Sequence, residues 1–353
     1  MKSLLLFSML FTLPLYALCP PSAPEPVRLT IAHQPHKAGL QLTVGISESG
    51  IQQLQLLSEQ SGRSVASMDL FFANQAQQIQ ARPLLEDANL DGLTDHLWLL
   101  SKEGRLWRLP IRDGQFGLPK LMADLTASGL DFIATAGLLR ARLPATLAPL
   151  AWRQADKQLV LLIARHRQSG HDTLFMLRFN MAMTQVALTQ FEHLLDRTVL
   201  SEAEVNQTLS ANDWRALLAE AGWLVQFPGK MSMAPTVIAG VIYAAVASTA
   251  NPDACDVTDD SQQLFALHLH SATQVYRQRN KLIPYLADAQ FALRQQADKQ
   301  LKLVLSTETQ WQVVLPNLLK ISADCHNCTE PLSLSRFPLW KRLATYRSEL
   351  GGY

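Results

Sequence analysis

A nine-residue segment rich in aspartate and asparagine carries the clearest chemical signal in the sequence. Its side-chain oxygens stand at positions 1, 3, 5 and 9, and a glycine, Gly92, stands at position 6. Ca²⁺ prefers six to eight oxygen ligands, and alternate side chains of a tight loop can converge on one ion. Gly92 permits the sharp turn that this convergence needs. The segment therefore predicts a calcium site with these ligands: Asp87, Asn89, Asp91, the carbonyl of Leu93, and Asp95.

The predicted loop is not an EF-hand, because its twelfth position, where an EF-hand has glutamate, is Trp98. It matches the shorter calcium loops that close hairpins in extracellular β-propellers, with Asp95 in place of the missing glutamate. The alternative is an ion-free hairpin turn. Three carboxylates in one turn repel one another by about 1 kcal/mol or more per pair, and a divalent cation removes that repulsion. We expect an affinity typical of extracellular modules, roughly micromolar to millimolar.

The cysteines and histidines offer weaker candidates for chemistry. Cys325 and Cys328 have a spacing that could form a disulfide, bind zinc or carry out redox chemistry. Structural disulfide chemistry is favoured, because no second Cys-x-x-Cys or paired histidine site is present. Which of the four cysteines pair is left open. The pairs His166 with His171 and His268 with His270 are interpreted as surface residues rather than metal ligands.

Composition and charge exclude several classes of function. Apolar residues make up 48% and charged residues 17% of the chain, which excludes a disordered protein. The 31 basic and 30 acidic residues give a net charge of +1 and alternate along the chain, so nucleic acid is not an expected partner. No nucleophile elbow, phosphate loop or zinc-protease motif occurs in the sequence. We therefore expect a protein that is not an enzyme.

Most of the remaining sequence predicts strand pairs separated by short turns rich in Ser, Gly, Glu or Asp. The predicted pairs are 40–46 with 51–57, 95–100 with 105–111, 159–167 with 173–181, 237–247 with 264–269, and 301–305 with 311–315. Such hairpins with few helices indicate an all-β fold. An irregular β-propeller is the favoured architecture and a β-sandwich the alternative. Trp98 and Trp107 are expected in its core.

A small helical insertion is predicted at about 201–222. Ser201 with Glu204, and Ser210 with Asp213, have the spacing of helix N-caps, and Gly222 is expected to end the second helix. Residues 282–298 are ambiguous, and 339–350 are expected to form a short terminal helix. The uncharged run 234–250 is interpreted as buried strand rather than as a transmembrane helix.

The first residues predict export. Residues 1–17 have the charge and apolar run of a secretory signal peptide, with Ala17 at the cleavage site. Lipid attachment at Cys19 is the less favoured alternative, because Leu18 precedes it. The domain prediction is then a linker at 18–38, a β-propeller-like domain at 39–320 and a C-terminal segment at 321–353, with no integral membrane segment after signal cleavage.

The calcium loop is followed by His-Leu-Trp-Leu-Leu at 96–100 and by Gly-Arg-Leu-Trp-Arg at 104–108. Gly-Trp at 222–223, the run 237–248, Cys255 and Gln-Leu-Phe-Ala-Leu at 263–267 come later in the same order. This order, over about 78–272, resembles the C-terminal β-propeller of the type IV pilus tip adhesin and biogenesis family, the PilC/PilY type. The chain departs from the family pattern at Asn89, which stands where the family has aspartate.

The resemblance implies a calcium-binding propeller that acts in pilus biogenesis or at the pilus tip. It implies a role in assembly, in extension and retraction, or in adhesion, and it implies pilins, minor pilins and other pilus assembly proteins as partners. The expected location is the periplasm, the outer membrane or a cell-surface pilus. The alternative is an integrin-like or surface-repeat propeller that binds proteins or glycans outside the cytoplasm.

Overall fold

The computed structural model describes residues 27–29, 40–144, 154–181, 186–205, 210–247, 261–295 and 300–320. The predictions for the signal peptide, all four cysteines, the segment 321–353 and its helix at 339–350 lie outside these residues. Of the predicted linker 18–38, only Val27–Leu29 is described, and it forms a strand that pairs with residues 40–42. Within the described part of the chain, no helix is long and apolar enough to cross a membrane.

Strands dominate the described chain. Its first half contains β1 (Val27–Leu29), β2 (Leu40–Ile46), β3 (Gln52–Ser58), β4 (Ser64–Asp69), β5 (Phe71–Phe72), β6 (Gln75–Ala76), β7 (Leu84–Glu86), β8 (His96–Leu100), β9 (Arg105–Arg112), β10 (Gln115–Phe116), β11 (Lys120–Asp124) and β12 (Asp131–Pro144). Its second half contains β13 (Gln154–Arg165), β14 (Asp172–Asn180), β15 (Thr189–Gln190), β16 (Leu194–Asp196), β17 (Gly222–Gln226), β18 (Lys230–Met231), β19 (Thr236–Ile238), β20 (Val241–Ala247), β21 (Ser261–His268), β22 (Asn280–Pro284), β23 (Gln290–Gln295), β24 (Gln300–Ser306) and β25 (Trp311–Lys320).

Two short α-helices form the predicted insertion, α1 (Glu202–Val205) and α2 (Ala211–Ala219). Ser210 caps α2 by accepting a hydrogen bond from the backbone N–H of Asp213, as predicted. The predicted end of the helix is wrong by a few residues. Glu220 is the C-terminal cap, and Gly222 begins β17 instead. The Cβ of any other residue at 222 would lie 2.0 Å from the Met176 carbonyl oxygen, so the glycine serves the close approach of two strands.

Apart from the two-stranded sheet of β5 and β6, the described strands form five successive sheets, each built mainly from neighbouring strands in antiparallel order. Sheet 1 contains β1 to β4, sheet 2 contains β7 to β11, and sheet 3 contains β12, β13, β14 and β17. Sheet 4 contains β18 to β22, and sheet 5 contains β23 to β25. The segment 189–196 joins the outer edges of sheets 2 and 3. Its strand β15 pairs in parallel with β11 of sheet 2, and its strand β16 pairs in parallel with β17 of sheet 3.

Hydrophobic clusters lie between each sheet and the next. In β8, Leu97 and Leu99 face the cluster shared with sheet 1, whereas Trp98 and Leu100 face the cluster shared with sheet 3. Side chains of sheets 3 and 4 likewise point alternately to two clusters. Sheet 3 therefore packs between sheets 2 and 4, and sheet 4 packs between sheets 3 and 5. Strands buried on both faces explain why their sequences are continuously apolar rather than alternating.

The all-β prediction is confirmed. Four hydrophobic cores between five sheets do not match a β-sandwich, which has a single core between two sheets. The five sheets contain between three and six strands each. A succession of mainly antiparallel sheets packed face to face is typical of propeller blades, and closure of the sheets into a ring stays a prediction. All five predicted hairpins are present.

The structure also resolves the ambiguous segments. Trp98 and Trp107 are both buried in the core. The described part of the uncharged run 234–250 contains β19 and β20, as predicted. The ambiguous segment 282–298 contributes to β22 and forms β23.

Candidate functional site: the loop between β7 and β8

The predicted calcium loop connects the first two strands of sheet 2. The last pair of that hairpin is Glu86 opposite His96. The backbone N–H of Asp95 donates to the Glu86 carbonyl at 2.8 Å, and the Asp95 carbonyl accepts from the N–H of Ile111 in β9 at 2.8 Å. Both ends of the loop are therefore held by the sheet, so the loop has a fixed base.

A buried carboxylate anchors this base. Glu86 is only 3% exposed and accepts hydrogen bonds from the Nε1 of Trp98 at 2.9 Å and from the Nε of Arg108 at 2.7 Å. A second bond from the Arg108 Nη2, at 3.1 Å, makes the ion pair bidentate. Trp98 in turn packs against Phe179 of sheet 3, with ring centroids 5.3 Å apart. The base of the loop is thus tied to the core between two sheets.

His96 completes this group of side chains. Burial lowers the pKa of His96, and the neighbouring Arg108 adds to that effect against the opposing influence of Glu86 and Asp95. The Nη2 of Arg108 lies 3.1 Å from the His96 Nδ1, which suits an imidazole nitrogen that accepts the hydrogen bond.

Asp87 organises the first half of the loop. Its Oδ1 accepts from the backbone N–H groups of Leu90 at 2.6 Å and Asp91 at 3.2 Å, and its Oδ2 accepts from Gly92 at 2.7 Å. Gly92 has a φ of 89°, a left-handed conformation that favours glycine. The glycine of the motif is therefore where the turn needs it.

Asn89 and Asp91 shape the tip of the loop. The Oδ1 of Asn89 accepts from the N–H of Asp91 at 2.9 Å, and the Oδ1 of Asp91 accepts from the N–H of Leu93 at 2.9 Å. The Nδ2 of Asn89 donates to the Oδ2 of Asp91 at 2.9 Å. Both side chains are exposed, which leaves the tip accessible to an ion from solvent.

Asp95 closes the loop from its far end. Its Oδ2 accepts from the backbone N–H of Ala88 at 2.8 Å and lies 3.4 Å from that of Asn89. The carboxylates at positions 1 and 9 therefore both point back into the turn. The local sequence favours this arrangement, because short Asp and Asn side chains bond to nearby backbone N–H groups in turns.

The residues of the loop fit Ca²⁺ in the kind of donor they offer. All predicted ligands are oxygens, three of them carboxylates, as a hard cation requires. A carboxylate oxygen that accepts one N–H keeps a lone pair for a metal. In the described part of the chain, no three His, Cys, Asp or Glu side chains converge closely enough to hold a metal. Calcium binding by this loop therefore stays a prediction.

The histidine pairs have different environments. His166 is exposed, in line with the interpretation of a surface residue. That interpretation is wrong for His268 and His270, which are 8% and 3% exposed. Burial lowers the pKa of His268 to about 4, and burial together with His268 and Arg178 lowers that of His270 to about 3. Both lie where α2 covers the sheets. The ring of Trp214 in α2 packs against the ring of His268, with ring centroids 5.2 Å apart.

Sequence reasoning missed two residues beside the predicted calcium loop. Glu86 directly precedes the loop and could have been noticed as an acidic residue within an apolar strand. Arg140 of β12 donates from Nη2 to the Ala88 carbonyl at 2.6 Å, although it lies 52 residues further along the chain. No local pattern in the sequence signals that contact.

Comparison with known proteins finds a solved structure of similar fold. No protein-family model matches the chain, and no curated protein matches it. Among solved structures, the C-terminal domain of Pseudomonas aeruginosa PilY1 superposes with a TM-score of 0.51 at 12% identity. The match covers 83% of this chain and 72% of that one. The fold is similar to that of the PilY1 C-terminal domain.

At this identity the likeness to PilY1 shows the fold alone. This likeness is one of three-dimensional fold, whereas the resemblance to the pilus family rests on short sequence motifs. Gly104, Trp107 and Trp98, which carry part of that motif resemblance, lie in the turn and strands that build sheet 2.

Proposed function

We propose that this protein is an exported, calcium-binding β-propeller protein of type IV pilus biogenesis or of the pilus tip. The observation that carries the proposal is the PilY1-like fold of the chain, in which the colinear pilus-family motifs fall on neighbouring sheets. The protein acts by binding partners and not by catalysis. Its partners are pilins, minor pilins or other pilus assembly proteins, and its effect is on pilus assembly, extension and retraction, or adhesion.

Calcium acts in this proposal by stiffening the hairpin of β7 and β8. Without an ion, the charges of Asp87, Asp91 and Asp95 oppose a closed loop. Hydrogen bonds from backbone N–H groups to these carboxylates, and from the Asn89 side chain to Asp91, hold the loop together against that repulsion. A bound Ca²⁺ reverses the sign of that electrostatic term. The exposed tip, at Asn89 to Gly92, then presents one fixed conformation to a partner.

Calorimetric titration of the purified protein with CaCl₂ tests the calcium site. We expect binding at roughly micromolar to millimolar Kd, and loss of that binding in Asp91→Ala. The matched control is Asp113→Ala, because Asp113 is also an exposed aspartate that precedes a glycine in a hairpin turn, between β9 and β10. Equal calcium binding by Asp91→Ala and the original protein would remove the site.

A genetic experiment tests the cellular role. The gene is deleted in its native host and replaced with the original sequence, with Asp91→Ala or with Asp113→Ala, and surface pili and twitching motility are scored. We expect the deletion to change pilus number or motility and Asp91→Ala to reproduce part of that defect. Normal pili and motility in the deletion strain would contradict a pilus role, whatever the calorimetry shows.

A further inference from the structure

The peptide unit between Ala88 and Asn89 stands between an anion and a cation from two different sheets. On one side, its N–H, which belongs to Asn89, lies 3.4 Å from the Oδ2 of Asp95. On the other side, its carbonyl, which belongs to Ala88, accepts from the Nη2 of Arg140 at 2.6 Å. The N–H and C=O of a trans peptide point in opposite directions. The peptide dipole is therefore aligned from the guanidinium of Arg140 toward the carboxylate of Asp95.

Arg140 belongs to sheet 3, whereas the loop belongs to sheet 2. β12 runs beside the first strand of sheet 2, and two side-chain hydrogen bonds connect the two sheets along this line. Thr135 donates from its hydroxyl to the Arg82 carbonyl at 2.6 Å, before β7, and Arg140 donates to Ala88, after β7. Of these two contacts, only that of Arg140 touches the predicted calcium loop.

We propose that Arg140 is a positioning residue that transmits the calcium state of the loop to the β12–β13 hairpin of the neighbouring sheet. The inference rests on the proposed calcium site, because Asp95 is its predicted ligand at position 9. When Ca²⁺ fixes the Asp95 carboxylate, the peptide unit between Ala88 and Asn89 is fixed with it. The Ala88 carbonyl then holds a constant position for Arg140, and the end of β12 opens less often.

The β12–β13 hairpin is suited to receive such a signal. Residues 138–144 of β12 pair with 154–160 of β13, and in the described part of the chain β14 pairs with β13 from Lys157, the partner of Ala141, onward. The pairs of 142–144 with 154–156 therefore have no third strand beside them among the described residues, whereas Arg140, opposite Gln158, lies where all three strands pair. Segments of low local stability of this kind respond most to a single added contact.

Hydrogen exchange of the full-length protein with and without CaCl₂ tests the proposal. In the original protein, we expect calcium to slow exchange of the amides in 138–144 by about fivefold or more, the lower end of typical couplings between two sites. In Arg140→Gln the slowing should disappear, while the amides of the loop itself, 88–93, stay protected by calcium. Arg140→Lys, which keeps a charged donor, should recover part of the effect.

Thr135→Val is the matched control, because it removes the other hydrogen bond between the same two segments. It should leave the response of 138–144 to calcium unchanged. The proposal is overturned if Arg140→Gln keeps the full response, if Thr135→Val loses it equally, or if the original protein binds calcium without any change at 138–144.

Calorimetry on the same variants separates this inference from the proposed function. Arg140→Gln should still bind calcium with a Kd within about tenfold of the original, since a single coupling of this kind is modest. Complete loss of binding would overturn the inference by making Arg140 part of the site. Absence of binding in the original protein would overturn the calcium site and this inference together, whereas binding without coupling overturns the inference alone.

Discussion

Arg178 and His270 are joined by a hydrogen bond from the arginine Nη2 to the histidine carbonyl, 2.9 Å long. Arg178 lies in β14 of sheet 3, and His270 follows β21 of sheet 4. The Nη1 of the same guanidinium donates to the carbonyls of Leu218 at 2.9 Å and Glu220 at 2.7 Å, where α2 ends. One buried cation therefore connects two sheets with the helical insertion.

We expect Arg178→Met to destabilise the protein by about 3 kcal/mol, because it leaves several buried carbonyls without a donor. The negative end of the α2 dipole also loses its cation. Urea unfolding followed by circular dichroism measures the change. Arg215→Met is the control, since Arg215 lies exposed on the same helix, and it should change the stability by less than about 0.5 kcal/mol. Equal stability of the two variants would contradict this role.

The two buried histidines predict acid sensitivity. Their pKa values in the folded protein, about 4 for His268 and about 3 for His270, lie below the ordinary value of 6.5. The unfolded chain therefore takes up protons at a higher pH than the folded one. The stabilisation is complete above about pH 6.5 and is lost as the pH falls toward 4.

Unfolding free energies measured between pH 7 and pH 4 test this expectation. Removing one buried histidine, as in His268→Gln, should reduce the slope of stability against pH in that window. The exposed His166, changed to Gln, is the control and should leave the slope as it was. An unchanged slope in His268→Gln would show that other groups cause the acid sensitivity.

Gly104 predicts a packing conflict that its sequence context does not reveal. It has a φ of 99°, and a Cβ at this position would lie 2.4 Å from the ring of Phe132. Phe132 is fully buried in the cluster between sheets 2 and 3. Gly104→Ala therefore adds overpacking to backbone strain, and we expect a loss of about 2–4 kcal/mol.

Gly62→Ala separates the two effects of that substitution. Gly62 has a φ of 65°, and a Cβ there would meet nothing within 4 Å. It should cost about 1 kcal/mol, from backbone conformation alone. Thermal unfolding of the two variants gives the comparison, and similar losses in both would mean that Phe132 moves aside without cost.

Much of the fold could be predicted from sequence, because the two strands and the turn of a hairpin are adjacent in the chain and show their pattern together. The pair β8 and β9 combines apolar runs with a short turn, and β2 and β3 do the same. By contrast, β12 was not predicted, although it is the longest strand. Its sequence includes Gly137 and Arg140, which interrupt the apolar pattern of a strand. It pairs with β13, and the sequence predicts only the pairing of β13 with β14. Short strands such as β15 and β16 are stable only because they pair with the edge strand of an existing sheet.

The same distinction applies to the candidate site. The predicted ligands of the loop are close together in the chain, so their spacing could be identified from nine residues of sequence. Arg140 and its contact with Ala88 depend on how sheets 2 and 3 pack, and no periodic pattern encodes that. The sequence predicts His268 and His270 as surface residues, because they share one face of a predicted hairpin, yet both are buried. The helix that covers them is separated from them by most of sheet 4 in the sequence.

The final prediction concerns Glu86, whose carboxylate lies between the core and the predicted calcium loop. Glu86→Gln keeps the shape of the side chain but removes its charge, so the guanidinium of Arg108 loses the partner that neutralises it. We expect a loss of about 3–4 kcal/mol in the free energy of unfolding, as found when one partner of a buried ion pair is removed. Urea unfolding followed by tryptophan fluorescence is a suitable measurement, because Trp98 donates to the same carboxylate.

Asp69→Asn serves as the control for Glu86→Gln. Asp69 is an exposed carboxylate of β4 that accepts one hydrogen bond, from Gln53 at 2.9 Å, so its loss of charge should change stability by less than about 0.5 kcal/mol. Calcium titration of Glu86→Gln adds a second readout. If the loop depends on the fixed base that Glu86 provides, calcium should bind Glu86→Gln more weakly while the variant is still folded. A destabilised variant with unchanged calcium affinity would show that the loop organises itself through its own backbone hydrogen bonds, independently of the core beneath it.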